Sequence, residues 1–166
     1  VKFVAATLAR HPYLNSSLQG DQILLHADIN IGVAVALDNG LIVPVVKHAD
    51  KKGLAEIALE VNDLATRARD EKLVNADVKG GTFTISNLGP FGIEQFDAII
   101  NAPEAAILAV GATQNEAIPD DDGQILSRPV MRITLSADHR IVDGAVAARF
   151  MADLKTVLED PILMAY

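Results

Sequence analysis

Cysteine is absent from the 166-residue chain, and so is tryptophan. Without cysteine there is no disulfide, no thiolate metal site and no thiol nucleophile. That composition fits a reducing compartment. Aromatic residues make up only 4%, so a core must be built mainly from alanine, valine, leucine and isoleucine, within a hydrophobic share of 50%. Positive charge is short as well: 14 Lys and Arg face 22 Asp and Glu, a net charge of -8 with an isoelectric point near 4.8. This balance argues against nucleic acid or an anionic membrane as a partner held by bulk electrostatics, while leaving room for a local basic patch. Long hydrophobic runs are missing too. "IGVAVAL" and "AAILAVGA" are far too short to span a bilayer, and no signal-peptide pattern occurs. The opening "VKFVAATLARHP" lacks an initiator Met and reads as the middle of a helix, so the expectation is that further sequence precedes it.

What remains is enough for one domain of ordinary size with a substantial core, given a mean hydropathy of +0.26. Val1 to Arg10 reads as an apolar helix stopped by Pro12. "DINIGVAVALDNGLIVPVV" holds two β-branched runs around the turn signal Asp38-Asn39-Gly40. An amphipathic helix follows, with Leu54, Ile57, Ala58, Val61, Leu64, Ala65 and Ala68 on its apolar face. "KGGTFTISNLGPFG" alternates, with Thr82, Thr84 and Ser86 on one face and Phe83 and Ile85 on the other. "EAAILAVGAT" reads as a buried strand, Asp122-Gly123 as a hairpin turn into "PVMRITLS", and about Gly144 to Glu159 as a final helix. Strands mixed with helices but without strict alternation predict an α+β fold, or a sheet with its helices mainly on one face.

Of the four histidines, His11, His26 and His48 have no second histidine at metal-ligand spacing and read as structural or surface residues. His139 lies in "LSADHRIVDGA", just past an alternating run. A base at a strand end can be held rigidly while its ring enters a cleft, and its ordinary pKa suits proton transfer near neutrality. Local pattern alone leaves it open between base and loop residue. Asp143 is open in the same way, since an Asp before "GAVAARFMADL" is a good helix N-cap. Ser86 lacks the strained elbow of a serine nucleophile, so it reads as a hydrogen-bond donor or simply a strand-end serine. The acidic run Asp120 to Asp122 fails the calcium-loop spacing and reads as a solvated hairpin tip. No dinucleotide or phosphate-loop motif is present, and nothing points to a metal.

"LSADHRIVDGAVAARFMADLKTVLEDP" strongly resembles the C-terminal signature of the dihydrolipoamide acyltransferases, the core subunits of 2-oxoacid dehydrogenase complexes. "HPYLNSSLQGDQILLHADINIGVAVALDNGLIVPVVKHADKKGLAEIA", "GGTFTISNLGPFG" and "IINAPEAAILAVGA" resemble that family's other blocks, in its order. The likeness covers essentially residues 1–166, which it marks as an acyltransferase catalytic domain short of its N-terminal portion. It implies a chloramphenicol-acetyltransferase-like mixed sheet flanked by helices, with homotrimers that carry the active site between subunits and assemble into a larger core. It also implies transfer of an acyl group between dihydrolipoamide and coenzyme A. In that motif His139 is the general base, Asp143 its support and Ser86 the donor to the oxyanion. Asn87 and Gly111 fall, with Ser86, where the family contacts coenzyme A. The lipoyl group is expected on a domain outside this chain, and no metal is expected. The expected partners are the decarboxylase and dihydrolipoamide dehydrogenase subunits, in a bacterial cytoplasm or a mitochondrial matrix. "NLGPFGIEQFDAIINAPEAAILAVGA" looks most like the pyruvate-complex members, which points to acetyl and leaves succinyl and branched-chain transfer open.

The chemistry is coherent with one histidine and one hydroxyl. A thiol with pKa near 8.5 is only partly ionised at neutral pH, so a base that takes its proton during attack on a thioester helps. The resulting oxyanion needs a donor. Two rivals are an O-acetyltransferase of the chloramphenicol type, and a non-catalytic assembly core. Condensation-type acyltransferases carry a second histidine where this chain has Asp138, which counts against them. The apolar "ILMAY" end is expected either in contacts between trimers or against its own subunit.

Overall fold

The computed structural model describes residues 1–120 and 122–164, and side chains as far as 162. Its centre is a five-stranded mixed sheet in the order β6-β3-β7-β8-β9. Three strands, β3 (Ile31–Val33), β7 (Phe83–Asn87) and β8 (Ala106–Pro119), run parallel, while β6 (Val45–Val46) and β9 (Ile125–Ala137) run antiparallel at the edges. Two small hairpins stand apart from it: β1 (Ser16–Gln19) with β2 (Gln22–Leu25), and β4 (Val35–Leu37) with β5 (Gly40–Ile42). The second turns at the Asp38-Asn39-Gly40 signal, as the sequence predicts.

Three helices complete the fold: α1 (Lys2–Leu8), α2 (Leu54–Arg69) and α3 (Gly144–Glu159). Phe83 of β7 meets Phe150 of α3 at 5.9 Å between ring centroids, and both are fully buried. Each such ring contributes about 1.5–3 kcal/mol by leaving water. Val4 and Leu8 of α1, and Ile57 and Leu64 of α2, join the same core. The predicted apolar face of α2 is only partly covered: Leu54 is 64% exposed. On the opposite face of β7, Thr82 and Thr84 are buried as well, so the strand is covered on both sides.

The three solitary histidines have structural surroundings. His11 Nε2 is 2.8 Å from Asp153 Oδ2 and its ring stands edge-on to Phe150. His26 Nε2 lies 3.1 Å from Ser17 Oγ, and His48 Nδ1 lies 3.3 Å from Asp28. The β8–β9 hairpin reverses beside Gly123, whose φ of 78° is the left-handed region glycine tolerates. Asp121, within the predicted acidic tip, lies outside the described residues. In "ILMAY", residues 165 and 166 lie outside them too, as do the side chains of residues 163 and 164, while Ile162 is exposed. Among the described residues no helix is long and apolar enough to cross a membrane.

Candidate active site

His139 stands at the apex of the β9–α3 loop, and Asp138 wires that loop together. The Asp138 N–H donates to the Ala105 carbonyl at 2.8 Å, tying the loop to the start of β8. Its own carbonyl accepts from Ile141 N and Val142 N, both at 2.9 Å. Asp138 Oδ1 accepts from Arg140 N at 3.0 Å and Nε at 2.9 Å, and Oδ2 accepts from Nη2 at 2.6 Å. The side-chain bond from Arg140, then its backbone N–H, holds the Asp138 carboxyl below the usual carboxylate range. His139 is therefore presented to solvent from a turn whose two flanking side chains grip each other.

Asp143 takes the N-cap position of α3, its Oδ1 accepting from Val146 N at 2.9 Å. This satisfies one of the orphan donors of the first turn. Its hydrogen bond in this chain goes to the helix rather than to the His139 ring.

Ser86 sits half-buried near the C-terminal end of β7, on the face it shares with Thr82 and Thr84. The next residue, Asn87, is exposed, and its Oδ1 accepts from Gly89 N at 2.9 Å, shaping the turn after the strand. Gly111 is buried, two strand positions past Ala109, the partner of Ser86. A Cβ there would stand 1.9 Å from the Glu94 carbonyl oxygen, so only glycine lets residues 93–103 cross β8 at this point. We call this crossing segment the strap; the Ala112 N–H donates to its Ile93 carbonyl at 2.8 Å.

Sheet register sets how far apart the two chemical groups are. Ser86 pairs with Ala109, and Ala109 with Thr134. The Asp138 N–H instead reaches Ala105, four residues back along β8. At ~3.3 Å per residue and ~4.8 Å per strand, Ser86 and the His139 loop are separated by about 13 Å along the sheet and about 10 Å across it. They occupy opposite ends of the sheet and do not meet within one chain. The structure therefore groups Ser86, Asn87 and Gly111 at one end, and His139 and Asp143 at the other.

The roles of two acids were not apparent from sequence. Asp138 was visible only as the residue before His139. Glu104 is buried beside Thr84 and has a sequence signal: it is the one charged residue in "AIINAPEAAILAV". Among the described residues no cluster of three or more His, Cys, Asp or Glu could hold a metal.

The family model of the 2-oxoacid dehydrogenases acyltransferase catalytic domain matches residues 1–166. The chain is 46% identical over 161 residues to the dihydrolipoyllysine-residue acetyltransferase component of the pyruvate dehydrogenase complex of Rickettsia prowazekii, covering 97% of this chain and 39% of that protein. It thus spans about two fifths of that curated relative. Among solved structures it resembles the Azotobacter vinelandii dihydrolipoamide acetyltransferase, with TM-score 0.95 and 36% identity over 99% of this chain and 68% of that one. The cubic core of the pyruvate dehydrogenase multienzyme complex gives TM-score 0.94 and 38% identity over the same shares, 99% and 68%. A chloramphenicol acetyltransferase shares the fold at TM-score 0.58 and 16% identity, covering 93% of this chain and 73% of its own. A mixed sheet with flanking helices, the blocks expected of the family in their expected order, and a match from first residue to last agree: the chain belongs to the 2-oxoacid dehydrogenase acyltransferase family, of whose catalytic domain it carries the sequence.

Proposed function

We propose that this domain transfers an acetyl group between dihydrolipoamide and coenzyme A, as part of the core of a pyruvate dehydrogenase complex. The observation that carries the reading is the placement of His139 and Ser86 at opposite ends of the sheet, each on a rigid mount. A site using both is completed by a second copy of the chain, whose Ser86 end faces the His139 end of the first. This supports a trimer with its reaction centres between subunits. The likeness to a solved cubic core supports assembly of such units into a larger shell.

In the forward direction His139 accepts the coenzyme A thiol proton as the sulfur attacks the acetyl carbonyl carbon of the lipoyl thioester. The carbonyl oxygen becomes an oxyanion and accepts a hydrogen bond from the Ser86 hydroxyl. Collapse breaks the carbon–sulfur bond to the lipoyl group, whose thiolate takes the proton back from the imidazolium. No covalent enzyme intermediate forms. Asn87 and Gly111, beside Ser86, mark the end at which coenzyme A enters. The lipoyl group arrives on a separate domain, and the decarboxylase and dihydrolipoamide dehydrogenase subunits dock on the assembled complex. A bacterial cytoplasm or a mitochondrial matrix supplies that setting, in line with relatives of both kinds.

The Azotobacter relative was investigated for the role of a serine, a histidine and an asparagine in its catalytic mechanism, the last two four residues apart. His139 and Asp143 have the same separation. An asparagine carries no charge but caps a helix as well as an aspartate does. This supports a neutral, positioning role for Asp143: it fixes the first turn of α3 and, through it, the loop that presents His139. The test is acetyl transfer from acetyl-dihydrolipoamide to coenzyme A by the assembled protein. Loss of transfer in His139→Ala with assembly retained is the expected result. Transfer that survives the change removes the base assignment and leaves an assembly core.

A further inference from the structure

Glu104 is a carboxyl with no place in the chemistry above, and it is only 6% exposed. Its Oε2 accepts from Thr84 Oγ1 at 2.6 Å, and its Oε1 lies 3.3 Å from Asn101 Nδ2. Asn101 Nδ2 is also 3.3 Å from Thr84 Oγ1, closing a three-membered cluster. The Glu104 backbone bridges Ser17 of β1. A buried carboxylate with no counter-charge is costly. The groups packed around it supply none: Thr84 from β7, Asn101 from the strap and Ser17 from β1 are neutral. Beyond Ser17, whose Oγ is bonded to His26, the Asp138 carboxylate is turned to Arg140. Burial accordingly pushes the Glu104 carboxyl up to about 7, against the opposing pull of the Thr84 and Asn101 hydrogen bonds.

The position of this cluster relates the two ends of the sheet. Thr84 is two residues before Ser86 on the same face of the same strand. Asn101 belongs to the strap, whose other end lies over Gly111. Ala105, the residue after Glu104, holds the Asp138 N–H on its carbonyl and donates its own N–H to Ser16 O at 2.9 Å. One side chain thus fastens the serine strand to the strap, and its own backbone leads straight into the anchor of the histidine loop.

We propose that Glu104 is a positioning residue for acyl transfer, tying the Ser86 strand and the strap to the rail from which the His139 loop hangs. The neutral acid holds this arrangement without placing a charge in the interior. Ionisation strengthens the bonds from Thr84 and Asn101 but leaves an unpaired charge in the interior, and that larger burial cost destabilises the clamped arrangement. The kinetic consequence rests on the function proposed above; the structural one does not.

The test compares the wild type with Glu104→Gln, a neutral near-isostere, and Glu104→Ala, in the assembled protein between pH 5 and 9. Alanine should lower kcat for acetyl transfer roughly tenfold with little change in KM, because it displaces groups without removing a substrate contact. Glutamine should restore kcat at pH 7. It should also remove an alkaline decline that the wild type shows above about 7, where its own Glu104 ionises. In thermal melts, the advantage of Glu104→Gln over wild type should grow as pH rises from 4.5 to about 7 and then stay constant. An alanine variant with wild-type kcat, or a glutamine variant that keeps the wild-type alkaline decline, overturns the proposal. If His139→Ala transfers acetyl as well as the wild type, the function falls instead. The melts then decide the clamp alone, and a pH-independent difference between wild type and Glu104→Gln overturns it.

Discussion

The two ends of the sheet are built in opposite ways. At the His139 end the loop is exposed and is held by hydrogen bonds and charge, with Asp138 serving six of them. At the Ser86 end the holding is steric: the strap crosses β8 so closely that Gly111 has no room for a Cβ. A proton-transferring ring benefits from a firm base and a free edge, while an oxyanion donor must stay in one place. Substitutions at the first end should therefore change rate more than stability, and substitutions at the second should change both.

The largest expected effect is that of His139→Ala. Losing the general base should lower kcat by about 10²–10⁴-fold. The exposed side chain packs against little, so the melting temperature should stay close to wild type. A large drop in stability would show that the loop depends on its histidine and is not held by Asp138. Ser86→Ala comes next: removal of one oxyanion donor should cost about 10²–10³-fold in kcat. Its KM for coenzyme A should change little, and a loss confined to KM would make Ser86 a binding residue. Gly111→Ala sharpens the comparison from the other side. The clash with the Glu94 carbonyl should destabilise the fold by about 1–3 kcal/mol or more, read as a fall of several degrees in melting temperature. A variant that melts with wild type would mean the strap can lift at little cost.

These contrasts were unevenly legible in the sequence. The bounds of α3 follow from Asp143-Gly144 and the 3.6-residue apolar spacing, because the cap and the buried stripe are both local signals. The full lengths of β8 and β9 are not legible in the sequence, because their outer halves are mostly exposed and carry little apolar alternation to mark them. The β1–β2 hairpin is hidden for a related reason: every residue of β2 is exposed, so no alternation marks it. Family resemblance named Ser86 and His139. Their separation was not readable, since it depends on a parallel pairing of β7 with β8 and an antiparallel pairing of β8 with β9. Such register is a property of strands distant in sequence. The same holds for Asp138, whose importance lies in a bond to Ala105, far back in the chain.

Asp143 gives a smaller effect that separates charge from shape. Asp143→Ala removes an N-cap and should cost about 1 kcal/mol of stability, with a moderate fall in kcat as the first turn of α3 loosens. Asp143→Asn keeps the cap and should approach wild type in both. An asparagine variant as slow as the alanine variant would show that the charge matters, and would return Asp143 to the role of a partner for the His139 imidazolium.

The smallest effect on stability is expected at Asp138. Arg140 is 72% exposed, so its pairing with Asp138 is screened by solvent and salt and contributes little to folding. The carboxyl is nevertheless held low, so what it contributes is present above the ordinary carboxylate range and fades as pH falls through its depressed folded value. Asp138→Asn keeps a side-chain acceptor for Arg140 N but loses the charged grip on the guanidinium. The expected outcome is an unchanged melting temperature at neutral pH, with a kcat below wild type but above that of Ser86→Ala. Adding salt should slow the wild type toward the variant and leave the variant itself nearly unaffected, because only the wild type has the ion pair to lose. Equal salt sensitivity in the two would mean that backbone hydrogen bonds alone hold His139, and the contrast between a charge-held end and a sterically held end would then fail.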